Sequence, residues 1–204
     1  MADQLVTTAQ VKTRIFPAGV TDTADDVLIS ELIDQVSDYI EQWTGRKLVP
    51  VSSTTYVFDT FSGYVLRIPI GIRTITSMGV SNLTNQPDAA GSYTTVTATD
   101  YLLRPKVQDM PQGWPFTEVW ISRGTLAGTI SAFGNIQNGA TITGTFGFAA
   151  VPPEIQRVAI DAVVDLYESR KNGEGRVIGD SMGTLDVWKD FFGTIGRYRF
   201  QAIG

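Results

Sequence analysis

Two amphipathic helical segments that flank a long stretch of alternating pattern constrain the fold of this chain most strongly. Residues 24–44 carry an apolar residue every three or four positions, and Gly45 suits the left-handed position that ends a helix. Residues 153–170 repeat this pattern after a proline pair that provides a rigid helix start. Each helix must bury one stripe, so we expect the two helices to pack together. The predicted stripes are Ile29, Ile33, Val36, Ile40 and Trp43, and Ile155, Val158, Ala159, Ala162, Val163 and Leu166.

The residues between these helices have the pattern of β structure. Short segments of alternating apolar and polar residues are separated by Pro, Gly, Asn and Asp. The candidate strands are residues 53–59, 64–70, 72–83, 93–98, 100–104, 118–123, 129–133 and 140–148. A short helix capped by Thr7 or Thr8 and a cap at Thr23 complete the N-terminal helices.

The predicted fold class is therefore α+β, a small helical bundle with a large antiparallel β insertion and a C-terminal docking segment. In this division, residues 1–49 and 149–172 form a helical core and residues 50–148 form the inserted β region. Residues 173–204 form a connector and the docking segment. The glycine-rich start of that last part, with Gly173, Gly175 and Gly179, follows a helix, so we interpret it as a connector and not as a phosphate loop.

The composition excludes several chemistries. The chain has no Cys and no His among its 204 residues. Disulfides, thiolate metal sites, Ser-His-Asp catalysis and HExxH catalysis are therefore impossible. We expect a protein that is not an enzyme, with no cofactor and no metal.

Charge and hydropathy restrict the partners. The chain has 16 Lys and Arg against 21 Asp and Glu, for a net charge of −5, whereas a duplex-DNA binder needs surplus positive charge. No apolar run approaches the ~20 residues that span a bilayer, and the N-terminus lacks a signal-peptide pattern. We expect no membrane association, and a chain that stays in the cytoplasm where it is made.

Two acidic groups invite a functional interpretation. Asp161, Asp165 and Glu168 share one helical face, which would suit a metal site or a hydrolase that uses Asp161 and Asp165, but a solvated helix face is favoured because partner ligands are missing. The acidic residues at positions 22, 25 and 26 lack the spacing of a calcium loop and favour capping of the following helix.

An aromatic trio in the β region also has two interpretations. Trp114, Phe116 and Trp120 could stack on sugar rings, or they could pack against the sheet and anchor turns, which is common for aromatic residues in strands.

The C-terminal residues 184–200 are dense in aromatic and basic side chains. These residue types anchor protein–protein interfaces, and several recur at helical spacing. The segment could cover the core of its own chain, or it could dock on a partner, and the sequence leaves both alternatives open.

Four stretches of the sequence resemble one known family. They are the opening LVTTAQVKTRI with its acidic TDTADD turn, the helix end DYIEQWTGRKL, the strand YVLRIPI leading into IRTITSMGV, and TGTFGFAAVPPEIQRVAIDAVVDLYESR. The sequence is similar there to the head–tail connector (adaptor, or head-completion) proteins of tailed bacteriophages, over residues 5–170.

This resemblance implies a structural function in the virion neck, after assembly in the host cytoplasm. Such proteins form a ring, commonly dodecameric, beneath the portal, and they extend the DNA channel, through which DNA passes without specific binding. The implied partners are the portal protein, the next neck or tail protein and further copies of the chain. The resemblance assigns portal binding to Leu185, Trp188, Phe191, Phe192, Ile195, Arg197, Tyr198 and Arg199. The alternative function is that of a carbohydrate-binding β module of a phage particle.

Overall fold

The structure is a computed structural model that describes residues 3–16, 23–61, 63–81, 93–105, 113–121, 133–172 and 186–199, with side chains in the last range from residue 190. These residues form two compact units. Unit 1 combines Met1–Val49 with Ala150–Gly204, and unit 2 comprises Pro50–Ala149.

Unit 1 is helical. Its elements are α1 (Thr8–Ile15), α2 (Asp26–Thr44), α3 (Pro153–Lys171) and α4 (Asp186–Ile195), and a 3₁₀ turn at Gly196–Tyr198 follows α4. Thr7, one of the two predicted cap residues, caps α1 through a capping box with Gln10. Gly45 adopts the left-handed conformation predicted for the end of α2, with φ of 64°.

Both predicted stripes form the core of unit 1, with one exception. The apolar residues of α3 from Ile155 to Leu166 that were predicted to be buried are buried, as are four of the five on α2. Trp43 is the exception, because it lies at the rim of the core and keeps 41% of its surface exposed. The predicted cap at Thr23 is also wrong: α2 begins after Asp25, and Thr23 contributes only its backbone carbonyl to the first turn.

Unit 2 is an antiparallel sheet. Its strands are β1 (Val51–Thr60), β2 (Val65–Ser81), β3 (Tyr93–Val96), β4 (Tyr101–Arg104), β5 (Phe116–Ile121) and β6 (Ile136–Phe146). The order is β1-β6-β2-β5-β4, and β3 pairs with the end of β2. The predicted α+β class with an antiparallel sheet is thus confirmed.

The long strand β2 organises this sheet. It replaces two predicted strands, because the chain passes through Pro69 and through Gly71 at positive φ while it stays extended. Its first half pairs with β5 and its second half with β6, and the register shifts between Arg67 and Ile72. The predicted strand at 129–133 lies outside the described residues except for Phe133, which bridges to Gly63.

One face of the sheet carries the core of unit 2. Strand residues such as Ile68, Ile72, Ile142 and Phe146 are buried there, and Tyr56 packs edge-on against Phe146 at 4.7 Å between ring centroids. Alternation along the strands places the intervening residues on the opposite side, which we name the outer face.

Candidate interaction surface

The C-terminal helix α4 packs against α2 and α3 of its own unit. Three side chains of α4 and of the turn after it are almost fully buried: Phe191 is 1% exposed, Ile195 is 0% exposed and Tyr198 in the turn is 3% exposed. Burial of side chains of this size is worth about 1.5–3 kcal/mol each. In the described chain these three side chains cover the core of unit 1.

Two polar pairs hold α4 and its turn on α3. The Tyr198 hydroxyl donates to Glu154 Oε1 at 2.5 Å, and the Arg157 guanidinium lies 2.8 Å from Asp190 Oδ2. Burial raises the pKa of Tyr198, and the hydrogen bond to Glu154 raises that pKa further. The Arg157–Asp190 pair is half exposed on both sides, so solvent screens it and it contributes little to stability.

Aromatic side chains of α2 and α4 meet at the rim of this core. Tyr39 and Trp43 stack at 6.2 Å between ring centroids, and Phe192 lies 5.4 Å from Trp43. Arg199 places its guanidinium carbon 5.6 Å over the Trp43 ring, which is cation–π geometry. We name Tyr39, Trp43, Phe192 and Arg199 the aromatic patch.

The predicted portal-binding residues thus fall into three groups. Leu185 and the side chain of Trp188 lie outside the described residues, while Phe191, Ile195 and Tyr198 are buried. Phe192 is partly exposed, and Arg197 and Arg199 are exposed. Their assignment to the portal stays a prediction.

Two residues of the aromatic patch, Tyr39 and Trp43, were absent from the predicted set. They lie four residues apart on α2, so they share one side of that helix. That spacing is visible in the sequence, but there it is equally compatible with a place in or beside the buried stripe.

Three of the acidic residues singled out in the sequence, Asp25, Asp26 and Asp161, form ion pairs. Asp161 lies 3.6 Å from Arg14 and 3.6 Å from Arg157, beside a groove of about 590 Å³ between α1 and α3. Asp25 Oδ2 accepts hydrogen bonds from Lys171 Nζ at 2.8 Å and from the Tyr167 hydroxyl at 2.5 Å. The bond from Lys171, followed by that from Tyr167, lowers the pKa of Asp25. These contacts are typical of a solvated, paired helix face.

The aromatic trio of unit 2 does not form a shared platform for a sugar. Trp114 packs edge-on against Phe148, with 5.5 Å between ring centroids, and Phe116 packs against the core. Trp120 alone of the three is largely exposed, at 41%, where its Nε1 donates to Glu118 at 2.7 Å and Arg104 lies 5.9 Å over its ring.

Within the described ranges, no group of three or more acidic residues is placed to hold a metal ion. None of the described helices has the length and apolar character needed to cross a membrane.

Comparison with known proteins identifies a shared fold. No protein-family model matches the chain, and no curated protein matches it either. Among solved structures, it is similar to a chain of the neck of the empty gene transfer agent (GTA) particle computed with C6 symmetry, with a TM-score of 0.59 at 15% identity. It is also similar to a chain of the virion of the native GTA particle, with a TM-score of 0.55 at 17% identity.

Both matches cover 100% of this chain and 97% of the other chain. The likeness therefore extends over both units and over the β insertion. The resemblance to phage neck proteins seen in the sequence is confirmed at the level of the fold.

Proposed function

We propose that this chain is a structural, non-enzymatic protein of the neck of a phage or phage-like particle, where it forms a head–tail connector ring beneath the portal. The observation that carries this proposal is the fold shared, over the whole chain, with a chain from the neck of a GTA particle. The C6 symmetry of that neck supports a ring of identical copies. A dodecameric ring, which is common among the connector proteins that the sequence resembles, is compatible with this symmetry.

The charge of the chain suits a DNA conduit. Each Lys or Arg contact to a phosphate adds a salt-sensitive attraction that would hold the DNA in place. A chain of net charge −5 repels DNA weakly and lets it slide during packaging and ejection. In this proposal the ring extends the channel of the portal, and the next neck or tail protein binds its far side.

We assign contact with the portal to the aromatic patch. Trp, Phe and Arg side chains at the centre of an interface carry much of its binding energy. Trp43 is 41% exposed and forms a surface with Phe192 and Arg199 while α4 stays packed on its own unit. The buried Phe191, Ile195 and Tyr198 would then support this surface from below and would not touch the portal.

Isolated necks test the neck assignment. Particles made by the element that encodes this chain should contain it at the stoichiometry of a ring, in a neck layer next to the portal, as seen by mass spectrometry and cryo-electron microscopy. Deletion of its gene should leave DNA-filled or empty heads without tails. Particles that join heads to tails normally without this chain would refute the proposal.

A pair of matched variants tests the portal contact. Trp43→Ala should weaken binding to the portal protein by about thirtyfold or more, because loss of a central aromatic anchor costs about 2 kcal/mol or more. Val27→Ala, which alters a side chain that is 71% exposed on the same helix, should leave it unchanged. Equal binding by both variants would place the portal contact elsewhere.

A further inference from the structure

The two edge strands of unit 2 have matching side chains on the outer face. In the described sheet β1 pairs only with β6 and β4 only with β5, so each strand has one edge without a neighbouring strand. A strand edge of this kind is a template for pairing with another chain. β1 extends over ten residues and contains no Lys, Arg or Pro, the residues that commonly block such pairing.

Apolar side chains are exposed at both edges. Val57 on β1 is 51% exposed, and Leu102 on β4 is 54% exposed. Tyr56 and Phe58 beside Val57 pack against the core, and so do Tyr101 and Leu103 beside Leu102. Alternation therefore places both Val57 and Leu102 on the outer face.

The charged side chains at these edges are complementary. Asp59 is the one charged residue of β1, and Arg104 is the one charged residue of β4. Asp59 lies two residues after Val57, and Arg104 lies two residues after Leu102, so each strand carries an apolar residue followed by a charge on the same face. Asp59 Oδ1 accepts a hydrogen bond from the backbone N–H of Asn138 at 2.8 Å, and the carboxylate can accept further hydrogen bonds.

Strand direction decides how the edges meet. Every neighbouring pair in the order β1-β6-β2-β5-β4 is antiparallel, so β1 and β4 run in the same direction. The small rotation between neighbours in a ring of many copies preserves this direction. A β4 edge that meets the β1 edge of the next copy therefore forms a parallel pair, and in a parallel pair Leu102 faces Val57 when Arg104 faces Asp59.

We propose that β4 of one copy of this chain pairs in parallel with β1 of the next copy, so that a continuous sheet joins neighbouring subunits. The contact is head-to-tail, the type that closes into a ring. The partner of each edge is a second copy of this chain, because β1 and β4 carry complementary charges and exposed apolar residues and run in the same direction. This proposal rests on the ring of the proposed function and names the surface that closes it.

Single-cysteine variants of the full chain test the pairing, because the chain has no cysteine of its own. Strands in a sheet lie ~4.8 Å apart, within the Cα separation of about 4.4–6.8 Å that a disulfide bridges. A mixture of Val57→Cys and Leu102→Cys chains at high concentration, oxidised and examined on a non-reducing gel, should give several-fold more dimer than either variant alone. Val27→Cys, mixed with each of them, serves as the control for random collision.

The charges supply a second measurement. In the cysteine mixture, Asp59→Arg in the Val57→Cys chain should reduce the dimer to the control level, and Arg104→Asp in the Leu102→Cys chain should restore it. Dimer from Val57→Cys alone would indicate a symmetric β1–β1 contact and overturn the proposal, and so would a mixture that matches the control. If the chain is found in necks but does not cross-link, the edge pairing is refuted and the neck function stands. If the chain cross-links but is absent from necks, the neck function is refuted and the pairing stands.

Discussion

The buried ring of Phe191 provides the most direct test of whether α4 belongs to the body of unit 1. Its side chain is 1% exposed, lies 6.2 Å from Tyr39 and meets Phe192 edge-on at 5.4 Å between ring centroids. Replacement of a buried Phe by Ala removes its transfer free energy and leaves a cavity, at a cost of about 3–5 kcal/mol. Because Phe191 lies in a terminal helix whose end can relax, we expect the lower part of this range, about 3–4 kcal/mol.

Urea denaturation followed by far-ultraviolet circular dichroism measures this change, since the helical signal reports unit 1. With a slope of about 1–3 kcal/mol per molar urea, the midpoint of Phe191→Ala should fall by roughly 1–4 M. Phe192→Ala is the matched control: its ring is only partly buried, so its cost should be about half as large. A loss below about 1 kcal/mol for Phe191→Ala would mean that α4 does not pack on α2 and α3 in the free chain.

Three further changes test other contacts. Asp25→Asn should lower the melting temperature at neutral pH. The difference from the unaltered chain should shrink as the pH falls below the ordinary Asp pKa of 3.8 and disappear below the lowered pKa of Asp25 in the folded chain, because the contacts of Asp25 contribute stability only while its carboxylate is ionised. Tyr198→Phe removes the hydrogen bond to Glu154 and should cost about 1–2 kcal/mol in the same urea experiment. Gly144→Ala should destabilise unit 2 by about 2 kcal/mol or more, measured by thermal unfolding, because its added Cβ would overlap the carbonyl oxygen of Thr74.

The helices were predictable because their information is local. A period of 3.6 residues indicates which side of each helix is apolar, a cap at Thr7 or Thr8 indicates where α1 begins, and Gly45 indicates where α2 ends. The stripe of α3 was predictable for the same reason. The absence of His and Cys likewise restricts the chemistry of the chain through composition alone, whatever its fold.

The strands were less predictable because their bounds depend on partners. Pro69 and Gly71 would end an isolated strand, but β2 continues through them, since it changes neighbours from β5 to β6 near that point. Proline donates no backbone hydrogen bond, and the register shift between Arg67 and Ile72 accommodates it. Only the pairing of distant strands could show this continuity.

The sequence by itself determined the helical stripes, the β insertion between them and the aromatic, basic character of the C-terminal segment. The tertiary structure alone decided that Phe191 and Ile195 are buried on their own unit while Trp43 reaches the surface. Periodicity indicates which side chains share one face of a helix, but it does not indicate which surface that face will pack against. That choice depends on contacts between α2 and α4, which are more than one hundred residues apart in the chain.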